Sequence, residues 1–166
     1  MPYRYCPRCA SPLALQAFAS GQRQACSAPG CSFVHWDNPL PVVAALVEYQ
    51  GQFVLARNVK WPRGIFSLVS GFLEQTENPA DAVRREVKEE LNLDSTVTRF
   101  IGHYPFAEQN QILLAYALQA SGELKTNDEL ADIKLLTLQQ LTAYNFSPLY
   151  LTTAIVNDWL AQTPPR

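Results

Sequence analysis

All four cysteines of the chain lie within its first 31 residues, in two close pairs. Cys6 and Cys9 form the first pair, and Cys26 and Cys31 form the second pair after a loop of sixteen residues. Two tight turns joined by a hairpin bring four thiolates to one point, and this spacing indicates a tetrahedral zinc site. Two disulfides or four free thiols are the alternatives. The start of the chain lacks the apolar stretch of a secretory signal, so we expect a reducing compartment, which disfavours disulfides.

The cysteine segment is predicted to form a small domain of its own. Four thiolate ligands leave no open position on a metal ion, so the zinc is expected to be structural rather than catalytic. The segment has few apolar residues, and the metal would supply its folding energy. Pro39 and Pro41 stiffen the chain that follows. We therefore predict an N-terminal zinc ribbon at residues 1–38 and a larger domain at residues 39–166.

The composition of the chain excludes several functional classes. Hydrophobic residues make up 48% of the 166 residues and charged residues 17%, which is typical of a globular protein rather than a disordered one. The longest apolar runs, Val42–Val47 and Ile112–Leu118, are far shorter than the roughly 20 residues that cross a bilayer. The formal net charge of -2 gives no long-range attraction to a polyanion. We expect a cytoplasmic protein that binds no membrane and is unlikely to bind nucleic acid.

The larger domain shows a mixed order of strand and helix patterns. Short helical signals occur at Leu138–Tyr144, and a final helix is expected from Ser147, with Pro148, to about Leu160. This order favours an α+β architecture or an α/β/α sandwich over a wound βαβ sheet. The predicted strands are Val42–Glu48, Phe53–Arg57, Ile65–Val69, Thr96–Gly102, Ile112–Gln119 and Ile133–Leu138.

A helix in the middle of the domain has clear end signals. Asn78 is a candidate N-cap, Pro79 fits the first helical position, and Asp81 lies in the first turn. Asn92 stands where a residue with positive φ is expected to end the helix. The predicted core face comprises Ala80, Val83, Val87 and Leu91.

This helix carries a group of acidic side chains beside its apolar face. Glu86, Glu89 and Glu90 stand at positions i, i+3 and i+4. Like charges at these offsets repel each other by about 0.2–0.5 kcal/mol per pair, so a cation is expected to offset the repulsion. Three clustered carboxylates suit a hard divalent ion such as Mg²⁺ or Mn²⁺. The alternative is a solvated acidic face.

The residues around these glutamates resemble the Nudix box, whose pattern is G-x5-E-x7-R-E-U-x-E-E-x-G-U with U apolar. Gly71, Glu77 and the run Arg85–Leu93 match eight of its nine defined positions over 23 residues, and Asn92 replaces the final glycine. With the cysteine pairs, the chain resembles zinc-ribbon Nudix hydrolases over most of its length. The resemblance implies an α/β/α sandwich with a mixed sheet and metal-dependent attack of water on a pyrophosphate.

The resemblance also implies roles for individual residues. Glu86, Glu89 and Glu90 would bind the catalytic metal. Arg85 would orient the glutamates, Glu77 would brace the loop before the helix, and Gly71 would let the loop pass close to the phosphates. Glu129 would be the general base or a further metal ligand, with an exposed loop residue as the alternative. Arg57 and Arg63 are candidate phosphate clamps, with surface charges as the alternative.

The substrate class follows from a second motif. NADH pyrophosphatases carry S-Q-P-W-P-F-P after the box, whereas this chain keeps only Tyr104-Pro105-Phe106 of it. The resemblance therefore favours ADP-ribose or FAD over NADH. The substrate's adenine ring is expected to stack on an aromatic side chain, and each candidate has a core position as its alternative. The candidates are Phe66, Tyr104, Phe106 and Tyr116.

A different functional class remains open. The chain could be a non-catalytic module that senses nucleotides or binds nucleic acid, with the zinc ribbon contacting a partner. Many relatives form homodimers, and an exposed aromatic surface at Phe33 and Trp36 would suit a second copy.

Overall fold

The computed structural model describes residues 3–162. The fold divides between Pro39 and Leu40 into two compact units. The N-terminal unit is an antiparallel sheet of three strands, β1 (Leu13–Phe18), β2 (Gly21–Cys26) and β3 (Val34–His35), in the order β1-β2-β3. The four cysteines lie in the connecting turns and at a strand end of this unit.

The second unit is built on a mixed sheet of six strands. A parallel pairing of β4 with β8 lies at its centre, and the other pairings are antiparallel. The strand order is β7-β8-β4-β5-β9, and β6 pairs with β4. The strands are β4 (Leu40–Tyr49), β5 (Gln52–Asn58), β6 (Val69–Phe72), β7 (Asp94–Phe106), β8 (Gln111–Ser121) and β9 (Leu130–Leu136).

Helices cover both faces of this sheet. They are α1 (Pro79–Leu91), α2 (Leu138–Thr142) and α3 (Tyr150–Gln162). Alternate residues of β4 point to opposite faces. Val43 and Val47 pack with α1 in one buried cluster, and Leu46 packs with α2 and α3 in a second cluster. The predicted α+β class and α/β/α sandwich are therefore confirmed.

Several element boundaries differ from the sequence prediction, and β7 extends beyond the predicted Thr96–Gly102 at both ends. The strand expected at Ile65–Val69 lies at Val69–Phe72, because Ser67 makes only an isolated bridge with Ala56. Burial of Phe66 and Leu68 in the core explains the apolar run without strand pairing. The final helix begins at Tyr150 rather than Ser147.

Smaller differences concern individual residues. The amides of Leu149 and Tyr150 bond to Phe146 and Pro148 as a turn, and the α-helical bonds begin when Thr153 N donates to Leu149 O. Leu138 begins α2 and does not end β9. On α1, Ala82 is fully buried, whereas the predicted core residue Ala80 is only half-buried.

Candidate active site

Both ends of α1, the helix that carries the three glutamates, are capped by asparagine. The Asn78 side chain accepts a hydrogen bond from Ala80 N at 2.9 Å, and Pro79 occupies the first turn. Asn92 ends the helix with φ of 59° in the left-handed conformation. These N-cap and C-cap predictions are confirmed. Because Val83, Val87 and Leu91 face the core, the glutamates lie beside the buried stripe.

Arg85 holds three carboxylates together. Its Nε and Nη2 donate to the two carboxylate oxygens of Glu77 at 2.9 and 3.0 Å, as a bidentate pair. Its Nη1 donates to Glu86 at 2.7 Å and to Glu89 at 3.1 Å. Nη2 also donates to the carbonyl oxygen of Phe72 at 3.1 Å. The guanidinium therefore ties the loop before α1, the end of β6 and two glutamates of the helix into one network.

The electrostatics of this network follow from these bonds. Hydrogen bonds with Arg85 lower the pKa of Glu77 and, in return, raise the pKa of Arg85. Burial raises the pKa of Glu86 above its usual range, against the opposing effect of Arg85. Glu77 and Arg85 are thus fixed as ions, whereas Glu86 is held in a position that disfavours its charge.

Gly71 makes room for the carboxylate of Glu86. A Cβ built at position 71 would overlap the carboxylate carbon and both carboxylate oxygens of Glu86. Gly71 lies in β6 opposite Val43 of β4, on the face that α1 covers. The Glu86 carboxylate therefore requires glycine at position 71 for steric reasons, in addition to the close approach of phosphate that the sequence predicts.

Glu90 is the buried member of the glutamate group. Its residue is only 7% exposed, and within residues 3–162 its carboxylate accepts no hydrogen bond, including none from Arg85. Burial and the neighbouring carboxylates raise the pKa of Glu90 to about 7. A carboxyl group in this setting favours a proton or a bound cation.

Glu129 lies in a loop that is bonded to the end of α1. Asn127 N donates to the carbonyl oxygen of Glu90 at 3.2 Å, and Lys125 N donates to that of Leu91 at 3.0 Å. The carbonyl oxygen of Glu129 accepts from Val59 N at 2.9 Å. The negative charge of Glu129 contributes, after burial, to the raised pKa of both Glu86 and Glu90. The structure thus brings Glu129 into the electrostatic range of the glutamates.

A cleft of about 260 Å³ lies on the opposite face of the sheet, beside the start of α3. Three aromatic residues, Trp61, Phe106 and Tyr150, line it together with Ser70 of β6. None of its lining residues within the described part of the chain is charged. Aromatic and apolar lining with a few polar groups is typical of small-molecule sites.

The cleft and the glutamates share strand β6. β8 pairs with one edge of β4 along its whole length, so β5 and β6 divide the other edge between them. Ser70 and Gly71 are adjacent, and their side-chain positions point to opposite faces of the sheet. Ser70 lines the cleft, and Gly71 lies under Glu86.

Only one of the four predicted ring-stacking residues, Phe106, lines this cleft. Tyr104 is buried, and its hydroxyl donates to Asp158 Oδ2 at 2.7 Å. Phe66 is buried in the core, with Lys134 Nζ 4.5 Å from its ring centre. Tyr116 packs on the α1 side of the sheet, against the ring of Phe100 at 5.1 Å. For these three residues, the core alternative describes what the structure shows.

The two predicted phosphate clamps lie in different settings. Arg57 belongs to β5, and its Nη1 donates to the carbonyl oxygen of Trp61 at 3.3 Å. Arg63 is exposed in the loop between β5 and β6.

Two residues that line the cleft, Trp61 and Tyr150, were not predicted from the sequence as candidate binding residues. Trp61 directly precedes Pro62, and Tyr150 follows Pro148 by two residues. An aromatic residue close to a proline in or next to a loop is the available signal for a side chain that lines a surface cleft.

The four cysteines form a compact group in the N-terminal unit. All four are free thiols, and their Sγ atoms lie within 4.8 Å of one another. The Sγ atoms of Cys6 and Cys31 are 3.7 Å apart, and those of Cys9 and Cys26 are 3.5 Å apart. A tetrahedron with metal–sulfur bonds of about 2.3 Å has sulfur–sulfur edges of about 3.8 Å. The thiols therefore fit a four-coordinate zinc ion.

Among residues 3–162, no helix has the length and apolar character needed to span a membrane.

Comparison with known proteins adds independent findings. The chain is similar to the NAD-capped RNA hydrolase NudC of Vibrio vulnificus, with 30% identity over 96% of this chain and 59% of that protein. It is also similar to the mitochondrial NAD(P)H pyrophosphatase NUDT13 of Mus musculus, with 25% identity over 80% of this chain and 37% of that protein. The chain thus spans about six tenths or less of these two relatives.

A solved structure supports the fold assignment. A NUDIX hydrolase from Nitrosomonas europaea superposes with a TM-score of 0.79 at 20% identity, covering 98% of this chain and 95% of that one. The family model of the NUDIX domain matches residues 38–154, which is more than half of the chain. This match includes β6, α1 and the loop that carries Glu129. The chain therefore belongs to the NUDIX family.

Proposed function

We propose that this protein hydrolyses the pyrophosphate bond of a nucleoside diphosphate derivative, using a divalent cation held by Glu86, Glu89 and Glu90. The observation that supports this most directly is the position of Glu90. It is a buried carboxylate, it lies beside two others on one helix edge, and Arg85 bonds to its neighbours but not to it. All three glutamates lie within residues 38–154, which the family model of the NUDIX domain matches.

The donor set fits Mg²⁺ or Mn²⁺. Hard divalent cations prefer carboxylate oxygens, and these residues supply several within one helical turn. Such an ion, when bound, would neutralise the charge of the pyrophosphate and lower the pKa of the attacking water. A bound cation would also favour the charged form of Glu90, against the burial and the neighbouring carboxylates that raise the pKa of this group.

The protein's own residues would position the carboxylates and remove a proton from the attacking water. Arg85, fixed by its bidentate pair with Glu77, would hold the carboxylates of Glu86 and Glu89 in place. Glu129 is our candidate for the group that takes the proton from water, since its side chain is exposed and its charge acts on both Glu86 and Glu90. The cleft beside β6 would bind the base of the substrate between aromatic side chains.

The identity of the nucleotide is a separate part of the proposal. The motif after the box favours ADP-ribose or FAD, whereas the names of the two relatives refer to NAD-capped RNA and to NAD(P)H. All of these compounds contain a pyrophosphate joined to adenosine. The expectation that nucleic acid is not a partner finds no support in these relatives, so we include a capped RNA among the substrates to be tested. A homodimer remains a prediction.

A substrate panel with matched variants tests the proposal. Purified protein is incubated with ADP-ribose, FAD, NADH, NAD⁺, NAD-capped RNA and ATP, with Mg²⁺ or Mn²⁺, and phosphomonoester products are measured after phosphatase treatment. We expect Glu89→Gln and Glu90→Gln to lower kcat by at least about 100-fold, because each removes a metal ligand.

Glu123→Gln serves as the control, because it removes an acidic charge from an exposed loop outside the network. Activity that survives Glu90→Gln unchanged would refute the site assignment. Absence of hydrolysis of every compound would favour the non-catalytic sensing module instead.

A further inference from the structure

The cleft beside α3 is too small for a whole dinucleotide. Its volume of about 260 Å³ is below the roughly 300–1,000 Å³ of sites that enclose drug-sized ligands. It matches a single ring system. The residues that line it are uncharged, so any preference for a charged ring must come from groups at its rim.

One carboxylate is hydrogen-bonded to an aromatic residue that lines the cleft. Glu108 is in a short 3-10 helix (Ala107–Gln109) that directly follows Phe106. The hydroxyl of Tyr150 donates to Glu108 Oε2 at 2.8 Å. The rings of Phe106 and Tyr150 meet edge to face, with centres 6.2 Å apart and planes at 83°. Tyr150 and Glu108, which are 42 positions apart in the chain, are thus joined. Their hydrogen bond fixes a negative charge next to the two aromatic rings of Phe106 and Tyr150, which we call the aromatic wall of the cleft.

The charge of Glu108 is present at neutral pH. Its backbone hydrogen bond and the bond from Tyr150 keep the pKa of this carboxyl below its usual range. On the other wall, Arg57 reaches the backbone carbonyl of Trp61 and brings a positive charge to that side. A ligand ring in the cleft would therefore lie between aromatic faces, with negative charge at the Tyr150 end. The positive charge behind Trp61 would repel the cationic part of a ring and turn it toward Glu108.

We propose that Glu108, held by Tyr150, makes this cleft selective for a cationic aromatic ring, and hence for the oxidised pyridinium form of a nicotinamide nucleotide over the neutral reduced form. This inference deepens the proposed function and rests on it only for the hydrolysis measurements. Aromatic faces attract cations through their quadrupole, and a nearby carboxylate adds to that attraction. The two redox forms carry the same substituents but differ in ring charge, in aromaticity and by a hydride at C4. The change of their ratio between the wild type and Glu108→Gln, rather than the ratio itself, therefore reports the effect of the carboxylate charge.

The size of the effect follows from the exposure of Glu108. Because the carboxylate lies at the surface, solvent screens it, and we expect it to change the preference for the oxidised form by about two- to fivefold. Tyr150→Phe keeps the ring of the wall and removes the hydroxyl that fixes Glu108. It should therefore reduce the preference by a smaller factor than Glu108→Gln.

Two measurements on the full chain test this inference. The first compares kcat/KM for NAD⁺ and NADH in the wild type, Glu108→Gln, Tyr150→Phe and the control Glu123→Gln. The second measures binding of oxidised and reduced nicotinamide mononucleotide by calorimetry in EDTA, which does not depend on hydrolysis. We expect the oxidised-to-reduced ratio to fall in Glu108→Gln, to fall less in Tyr150→Phe and to stay unchanged in Glu123→Gln.

The outcomes separate the two proposals. If binding ratios shift as expected but neither dinucleotide is hydrolysed, the proposed function fails and the selectivity of the cleft stands. If dinucleotides are hydrolysed and the ratios are the same in wild type and Glu108→Gln, the selectivity is wrong and the hydrolase stands. If neither mononucleotide binds, the cleft is not a nicotinamide site and the inference is overturned.

Discussion

At the scale of single residues, Glu90 is a proposed metal ligand whose buried charge also destabilises the folded protein. Its carboxyl group is buried, and its pKa is raised to about 7. A carboxyl whose pKa is higher in the folded state than in the unfolded state destabilises the fold only when it is ionised. The penalty is therefore absent below about pH 4, grows as the pH rises through the interval up to about 7, and is complete above it.

Glu90→Gln is thus expected to stabilise the protein while abolishing activity. In EDTA at pH 8, we expect its free energy of unfolding to exceed that of the wild type by up to about 3 kcal/mol, with no difference near pH 4. Urea denaturation at both pH values measures this. Glu89→Gln is the control, because the Glu89 side chain is 55% exposed. An equal gain at pH 4 and pH 8 would show that burial of the charge is not the cause.

The sequence predicted the arrangement of the three glutamates better than the positions of the aromatic side chains. The spacing of Glu86, Glu89 and Glu90 fixes their common edge on any helix, so periodicity was sufficient. The facing of Tyr104 could not be derived in this way. β7 contains register irregularities at Val97/Arg99 and Phe100/Gly102, and each changes the alternation of its side chains.

At the scale of elements, α1 depends on its two asparagine caps. Asn92 adopts φ of 59°, a conformation that is unfavourable for residues with a Cβ other than Asn or Asp. Its side chain also donates to the carbonyl oxygen of Glu123 at 3.0 Å. The departure from the family glycine is therefore compensated by a hydrogen bond that glycine lacks.

We expect Asn92→Ala to destabilise the protein by about 1 kcal/mol, because alanine keeps the Cβ and loses the hydrogen bond. The free energy of unfolding of Asn92→Gly should lie within about 0.5 kcal/mol of that of the wild type. Glycine adopts the left-handed conformation without strain, which offsets the lost hydrogen bond. Chemical denaturation of the two variants side by side measures both values. Equal destabilisation by alanine and glycine would show that the left-handed conformation is not what position 92 requires.

Elements with strong periodicity or clear caps were predicted well, and those defined by distant partners were not. α1 has both caps and an apolar stripe, and its bounds agree with the sequence signals. The run Ile65–Val69 is apolar because the core surrounds it, while the strand starts where β4 supplies a partner edge. Local composition alone does not distinguish burial of a loop from strand pairing.

At the scale of the whole molecule, the two proposed sets of metal ligands belong to different units, and we expect one to be structural and the other catalytic. The cysteine group lies in the N-terminal unit, and the glutamates lie in the second unit. The N-terminal unit has a small buried core, so a metal ion would supply much of its folding energy. The second unit has two buried clusters that require no metal ion for packing.

Cys9→Ser is therefore expected to remove bound zinc and to loosen only the N-terminal unit. Atomic emission should detect one zinc ion per wild-type chain and much less in the variant. Hydrogen exchange should increase in β1–β3, while the strands of the second unit keep their protection. Ser32→Ala is the control, since Ser32 is exposed and is not a ligand. Faster exchange throughout β4–β9 in Cys9→Ser would contradict this division of roles.

The alternation of Ser70 and Gly71 along β6 has an evolutionary consequence. In the proposed function, neighbouring positions of one short strand would serve bond cleavage on one side and ring recognition on the other. Substitutions at Ser70 or in the loops around Trp61 and Tyr150 can therefore diversify the preferred nucleotide without disturbing the hydrolytic centre. Insertion of a single residue into β6 would exchange the two sides and abolish both activities together.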